Sequence, residues 1–239
     1  MHIPSILHQT SKFPIPLNML EWSKTFKTVH PNWHHWIWND EENREFLREN
    51  YPWFLPVYDG YDVHIKRVDA VRYFYLYHYG GVYADMDFIF LKPLTPLLVS
   101  GHAVFGYQLK NRKSPQAIAN AFMAAPPKHP LFAFLISNLW KTKHRHVLYA
   151  TGPGYLTRMI KQYRGEDVDV YDMPYIYTYE WDAKPSKQCD SQAMCRKMYP
   201  DSYTSTVWSG SWKTFPYKKV GVAICFVCIC IIVSQILRR

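Results

Sequence analysis

The stretch from Arg67 to Pro93, RVDAVRYFYLYHYGGVYADMDFIFLKP, decides how the rest of the chain is read. Val68 to Tyr79 contains no proline or glycine and carries apolar or aromatic residues nearly all round, the pattern of a helix buried over most of its surface. Gly80-Gly81 stops it, because helices commonly end on a left-handed residue that glycine adopts without a Cβ clash. Val82-Tyr83-Ala84 then reads as a short core strand. Asp85 and Asp87 therefore fall at its carboxyl end, where open α/β sheets hold ligands. The apolar run Phe88-Ile89-Phe90-Leu91, closed by Pro93, reads as a further strand.

Two carboxylates one residue apart can hold a divalent metal against a diphosphate. An isolated Asp-x-Asp is more often turn chemistry, and Asp69 with Arg72, three apart on one helical face, either reach a ligand together or form an i,i+3 ion pair worth about 0.2–0.5 kcal/mol. The succession of helix, Gly-Gly stop, strand and paired carboxylates is much rarer than any one part. Breaking a bond to a diphosphate leaves negative charge on the departing group, which a bridging cation stabilises as it develops. Hard oxygen ligands suit Mn²⁺ or Mg²⁺. Zinc is not expected, since Cys189 and Cys195 have no histidine pair at zinc spacing beside them.

These residues resemble glycosyltransferase family 32, the retaining Asp-x-Asp sugar-binding family that includes inositol phosphoceramide mannosyltransferases, initiating α-1,6-mannosyltransferases and α-1,4-galactosyltransferases. The resemblance spans residues 2–212. It rests on the central run, on Ile3-Pro4-Ser5-Ile6-Leu7-His8-Gln9, on His30-Pro31-Asn32-Trp33 with Trp36-Ile37-Trp38-Asn39-Asp40, on Thr151-Gly152-Pro153-Gly154 and on Trp208-Ser209-Gly210-Ser211-Trp212. It implies an α/β GT-A type, Rossmann-like nucleotide-sugar fold. It also implies that Asp87 is a direct Mn²⁺ ligand, and that Asp85 contacts the ribose, the donor sugar and the metal. Asp69, Arg72 and Tyr83 then line the donor-sugar pocket, His8-Gln9 lie beside the nucleotide, and Ser211 with Trp212 close over the diphosphate. Where many relatives carry a histidine shortly before the final tryptophan pair, this chain has Thr206-Val207, which puts the closing loop's contacts in question.

At 239 residues the chain has room for one α/β domain with a substantial core, and its 17% aromatic content suits both a dense interior and sugar-packing surfaces. A formal charge of +9 raises nucleic acid as a partner, but the basic residues look scattered, and Lys218, Lys219, Arg238 and Arg239 bracket an apolar stretch. A membrane surface or an anionic substrate is the expected partner instead. Val220 to Leu237 holds 18 uncharged residues, about 27 Å as a helix, close to the thickness of an ER-type bilayer. It reads as one transmembrane helix, with a buried core helix and a removable GPI signal as the alternatives; Cys225, Cys228 and Cys230 would pack within it as small apolar residues. The expected domains are thus a catalytic domain at 1–217 and a membrane segment at 218–239.

Neither an N-terminal signal peptide nor an anchor is visible in the sequence, and both flanks of the tail are positive, so charge does not orient it. A tail anchor faces the cytosol. The resemblance favours a Golgi or ER lumenal catalytic domain, where Cys189 and Cys195 could close a small disulfide loop; a free thiol pair fits the sequence equally.

Along the remainder, Leu17 to His30 reads as a helix, and Asn39 with Glu42 as a capping box for a helix from Asp40 to Asn50. Ser114 to Ala125 and Pro130 to Trp140 read as helices separated by Pro126-Pro127. Lys141 to His146, KTKHRH, reads as a solvated loop or a contact to a phosphate or lipid headgroup, and Tyr171 to Trp208 as loop and short strands that hold acceptor contacts. The expected function is a metal-dependent retaining glycosyltransferase moving mannose from GDP-mannose to a membrane glycolipid such as inositol phosphoceramide. The alternatives are transfer of mannose or galactose to a protein-linked glycan, and a catalytically silent membrane-anchored binding protein.

Overall fold

The computed structural model of the chain describes residues 2–12 and 14–210. Ser211, Trp212 and the expected membrane segment lie outside the described residues. Among those described, no helix is long and apolar enough to cross a membrane.

In chain order the elements are β1 (Ile6–Thr10), α1 (Leu17–Val29), β2 (His34–Trp38), α2 (Asp40–Asn50), α3 (Leu55–Asp59), α4 (His64–His78), β3 (Gly81–Ala84), β4 (Phe88–Phe90), β5 (Ala103–Tyr107), β6 (Ile118–Ala125), α5 (Pro130–Thr142), α6 (Val147–Ala150), α7 (Pro153–Gln162), β7 (Val168–Tyr171), α8 (Gln192–Met198) and β8 (Thr204–Thr206). Six strands form one sheet in the order β2-β1-β3-β6-β5-β7, and β4 pairs with β8 in a separate ribbon. β1 runs parallel to β2 and β3, whereas β6 is antiparallel to both its neighbours.

Both faces of the large sheet are covered, and the period of two along β3 divides its side chains between them. Tyr83 joins Phe105, Met123 and the aromatic face of α4 on one side, while Val82 and Ala84 join Phe26 of α1, Val104 and Phe122 on the other. The expected central helix is present as α4, buried from Asp69 to Leu76. Burial of Val71, Tyr73, Phe74, Tyr75 and Leu76 stabilises the fold by about 1.5–3 kcal/mol for each large side chain. The Gly-Gly stop is also present, with Gly80 at φ 67° and Gly81 at φ 94°. A Cβ on Gly81 would stand 2.6 Å from the Ile6 carbonyl oxygen, so only glycine lets β3 start this close to β1.

The capping box is formed, with Glu42 N–H donating to Asn39 Oδ1 at 2.9 Å and Asn39 N–H to Glu42 Oε2 at 2.8 Å. One expected helix is overturned: within Ser114 to Ala125 the chain forms strand β6. The alanines there favour a helix in isolation, but β3 and β5 satisfy its backbone from both sides and the alternating residues feed both cores. Between Tyr171 and Trp208 the structure adds α8, and Cys189 and Cys195 are joined in a disulfide.

Candidate active site

Asp85 and Asp87 lie in the turn that leaves the large sheet and enters the β4–β8 ribbon, and each is held by its backbone from a different side. The Asp85 N–H donates to the Ala121 carbonyl at 2.9 Å, while the Val207 N–H donates to the Asp87 carbonyl at 3.1 Å. Gln9 adds a third restraint, donating from Nε2 to the Asp85 carbonyl at 3.1 Å. Its Oε1 accepts from Ser23 Oγ at 2.5 Å and contacts His35 Nε2 at 2.7 Å. Since that oxygen only accepts, the His35 proton sits on Nε2. Both aspartates are half-buried, flanking the buried Met86.

Arg72 is the hub beneath them, only 3% exposed. Its Nη2 meets Asp69 Oδ1 at 3.1 Å and its Nη1 meets Asp85 Oδ1 at 3.1 Å. Nη1 also donates to the Asn120 carbonyl at 2.9 Å, and the guanidinium carbon stands 4.4 Å from the Tyr83 ring centre. The pair expected on the helix is therefore not a surface ion pair. Burial alone lowers the guanidinium pKa, but Asp85, Tyr83 and Asp69 outweigh it and the group stays charged.

Burial pushes the Asp85 carboxyl up to about 6, with Asp87 adding to the rise, while Arg72 and the Tyr83 hydroxyl, donating at 2.8 Å, oppose it. The side chain is nevertheless 36% exposed, so solvent and a cation reach it. Burial likewise raises Asp69, against Arg72, Asn120 and Thr151. Asn120 Nδ2 donates to Asp69 Oδ1 at 3.0 Å and Thr151 Oγ1 to Oδ2 at 3.3 Å, so both oxygens of Asp69 are engaged.

The structure brings together Gln9, Asp69, Arg72, Tyr83, Asp85 and Asp87. It sets His8 apart. His8 is fully buried, its Nε2 is 3.0 Å from the Gly80 carbonyl, and its ring stacks on Trp38 and Tyr75; burial lowers its pKa to about 4. A neutral ring so enclosed supports the packing of β1 against α4 and β2. Ser211 and Trp212 lie outside the described residues.

Three further participants were not singled out from the sequence. Asn120 is the one amide in the apolar run of β6, which was the available signal. Thr151 opens the quoted Thr-Gly-Pro-Gly motif. Thr206, noted only as a departure, donates from Oγ1 to Asp87 Oδ1 at 3.3 Å.

Among the described residues no group of three His, Cys, Asp or Glu side chains could hold a metal unaided. Two carboxylates and a hydroxyl suit a hard cation that takes its remaining oxygens from water and a diphosphate. The donor set thus fits Mn²⁺ or Mg²⁺.

Residues 17–103 match the family described as "Glycosyltransferase sugar-binding region containing DXD motif". The chain is 37% identical over 169 residues to mannosyl phosphorylinositol ceramide synthase SUR1 of Saccharomyces cerevisiae, covering 68% of this chain and 43% of that protein. It is 38% identical over 174 residues to inositol phosphoceramide mannosyltransferase 1 of Schizosaccharomyces pombe, covering 67% and 52%. The chain thus spans about half the length of these curated relatives. Among solved structures, the PaToxG glycosyltransferase superposes with a TM-score of 0.51 at 17% identity, covering 67% of this chain and 69% of that one. This likeness supports a GT-A-like α/β fold.

Proposed function

Because residues 17–103 make this chain a member of the DXD sugar-binding glycosyltransferase family, we propose that it is a metal-dependent retaining glycosyltransferase that moves mannose from GDP-mannose to inositol phosphoceramide. The observation that carries the proposal is the buried Asp69–Arg72–Asp85 chain beneath the half-exposed Asp85 and Asp87. A buried ionic network of this kind is costly unless fully partnered, and here it holds the carboxylates in one geometry. Mannose and inositol phosphoceramide follow the names of the relatives, and retention and the guanosine nucleotide are what the family resemblance implies.

Asp87 and Asp85 would hold Mn²⁺ or Mg²⁺, which supplies positive charge for the departing diphosphate. Arg72 keeps Asp85 ionised and aimed, and Tyr83 fixes the same oxygen from the other side. Asp69 holds Arg72 in place, since both its oxygens are already engaged. Gln9 sets the backbone of Asp85, and Thr206 orients the Asp87 carboxylate. The proposed catalytic domain is 1–217, with 218–239 as a membrane segment. The Cys189–Cys195 disulfide supports an oxidising compartment such as the Golgi or ER lumen.

A screen of the full chain in detergent with Mn²⁺ tests this, measuring release of GDP or UDP from a panel of sugar nucleotides with and without inositol phosphoceramide. GDP release from GDP-mannose, accelerated by the lipid, is expected. Release from no donor in the panel would overturn the proposal.

A further inference from the structure

The cations that look scattered along the sequence are strongly polarised. Residues 88–165 contain no Asp or Glu, yet they hold 11 of the 28 Lys and Arg; the other 17 are outnumbered by the 19 acids. All of the protein's positive charge excess therefore comes from this part of the chain.

Its densest run follows the exposed Trp140 at the end of α5. Lys141, His144, Arg145 and His146 are exposed and Lys143 is half-buried. Lys141, Lys143 and Arg145 make no ion pair among the described residues; Lys141 Nζ instead donates to Asn138 Oδ1 at 2.9 Å. Trp140 is 60% exposed, and its ring centre is 5.7 Å from Lys141 Nζ. An indole left in water beside unpaired cations is the composition that partitions into an anionic bilayer interface.

The run is built rather than loose. Thr142 is buried and donates from Oγ1 to the Ala150 carbonyl at 2.7 Å, and Lys66 Nζ donates to the Lys143 carbonyl at 3.1 Å. Lys66 belongs to α4, three residues or about 4.5 Å along the axis from Asp69. On the other side, α6 leads directly to Thr151, which holds Asp69. The basic run and the carboxylate site are therefore both braced by α4, through Lys66 and Arg72.

We propose that Trp140–His146 is a docking surface for an anionic phospholipid bilayer, seating the carboxylate site at the height of lipid headgroups. Docking by itself does not need the transfer reaction; only its use in reaching a lipid acceptor rests on the proposed function.

The test is hydrogen–deuterium exchange on the full chain with phosphatidylcholine vesicles, with and without phosphatidylinositol. Amides of 141–146 should exchange more slowly on the anionic vesicles alone, and high salt should abolish the difference. Lys141→Ala with Arg145→Ala should lower that protection about twenty-fivefold, at about fivefold per cation. A tail that inserts into both kinds of vesicle produces no such local difference, and no turnover is measured, so failure here is distinct from failure of the transfer proposal. Equal exchange on both vesicles, no effect of the substitutions, or the same slowing by soluble inositol 1-phosphate without vesicles would overturn the proposal.

Discussion

Removing Arg72 is the perturbation whose size follows most directly from the structure. Its guanidinium is 3% exposed, sits 3.1 Å from both Asp69 and Asp85, and donates to the Asn120 carbonyl at 2.9 Å. Arg72→Ala leaves the buried Asp69 carboxylate and the Asn120 carbonyl without that partner, while Asp85, 36% exposed, turns to water. Breaking one side of a buried ion pair typically costs about 3–5 kcal/mol, against under about 1 kcal/mol for a surface pair. The loss should also depend on pH. Arg72 lowers the pKa of both aspartates, so without it they are protonated at higher pH, and the penalty shrinks once they are neutral. Arg72→Lys keeps the charge, but a single ammonium cannot replace the fork toward Asp69, Asp85 and the Asn120 carbonyl, and should lose about 1–3 kcal/mol. Urea unfolding followed by tryptophan fluorescence, at neutral and mildly acidic pH, gives both numbers. A loss for Arg72→Ala below about 1 kcal/mol and independent of pH would refute the reasoning.

Two further outcomes test the fold around the site. His8, His30 and His35 are held neutral by burial, each lowered to about 4, and His30 Nε2 accepts from the Leu94 N–H at 3.0 Å, which protonation would break. The unfolded chain takes up these protons near pH 6.5 and the folded chain only near 4, so their contribution is complete above 6.5 and is lost as pH falls through 4, about 2–3 kcal/mol for each fully buried ring. Unfolding titrations across that window should show the decline, and His30→Gln, whose amide oxygen can accept the same bond, should make it shallower by that one ring's share while His8 and His35 keep the rest; a flat wild-type curve would contradict the assignment. Gly81→Ala should lower stability by about 1–3 kcal/mol, since the residue has φ 94° and its Cβ would stand 2.6 Å from the Ile6 oxygen; an unchanged melting temperature would contradict it.

The helix, glycine stop, strand and carboxylate pair were legible because every local signal there agrees with the tertiary outcome. Apolar periodicity, a glycine at positive φ and a short β-branched and aromatic strand each point the same way. β6 was not legible, because alanine-rich Ser114 to Ala125 carries helix propensity and only pairing with distant β3 and β5 decides against it. The burial of Arg72 was hidden for a related reason: an i,i+3 spacing shows a shared helical face but not what covers it. Asn120 and Thr206 reach the site from β6 and β8, which approach it through long-range pairing alone. Adjacency in sequence also hid that His8 and Gln9 put their side chains on opposite faces of β1, so that only Gln9 faces the carboxylates. The disulfide was one of two readings that spacing allowed, and the paired sulfurs settle it in the structure.

The central claim is that Asp85 and Asp87 hold a divalent cation against a nucleotide diphosphate, and calorimetric titration of the full chain with GDP tests it without relying on turnover. The account predicts GDP binding in Mn²⁺ that disappears in EDTA and weakens about a hundredfold or more in Asp87→Asn, whose amide is a poor ligand for a hard cation, while circular dichroism stays unchanged. GDP affinity that is indifferent to both EDTA and Asp87→Asn would contradict it.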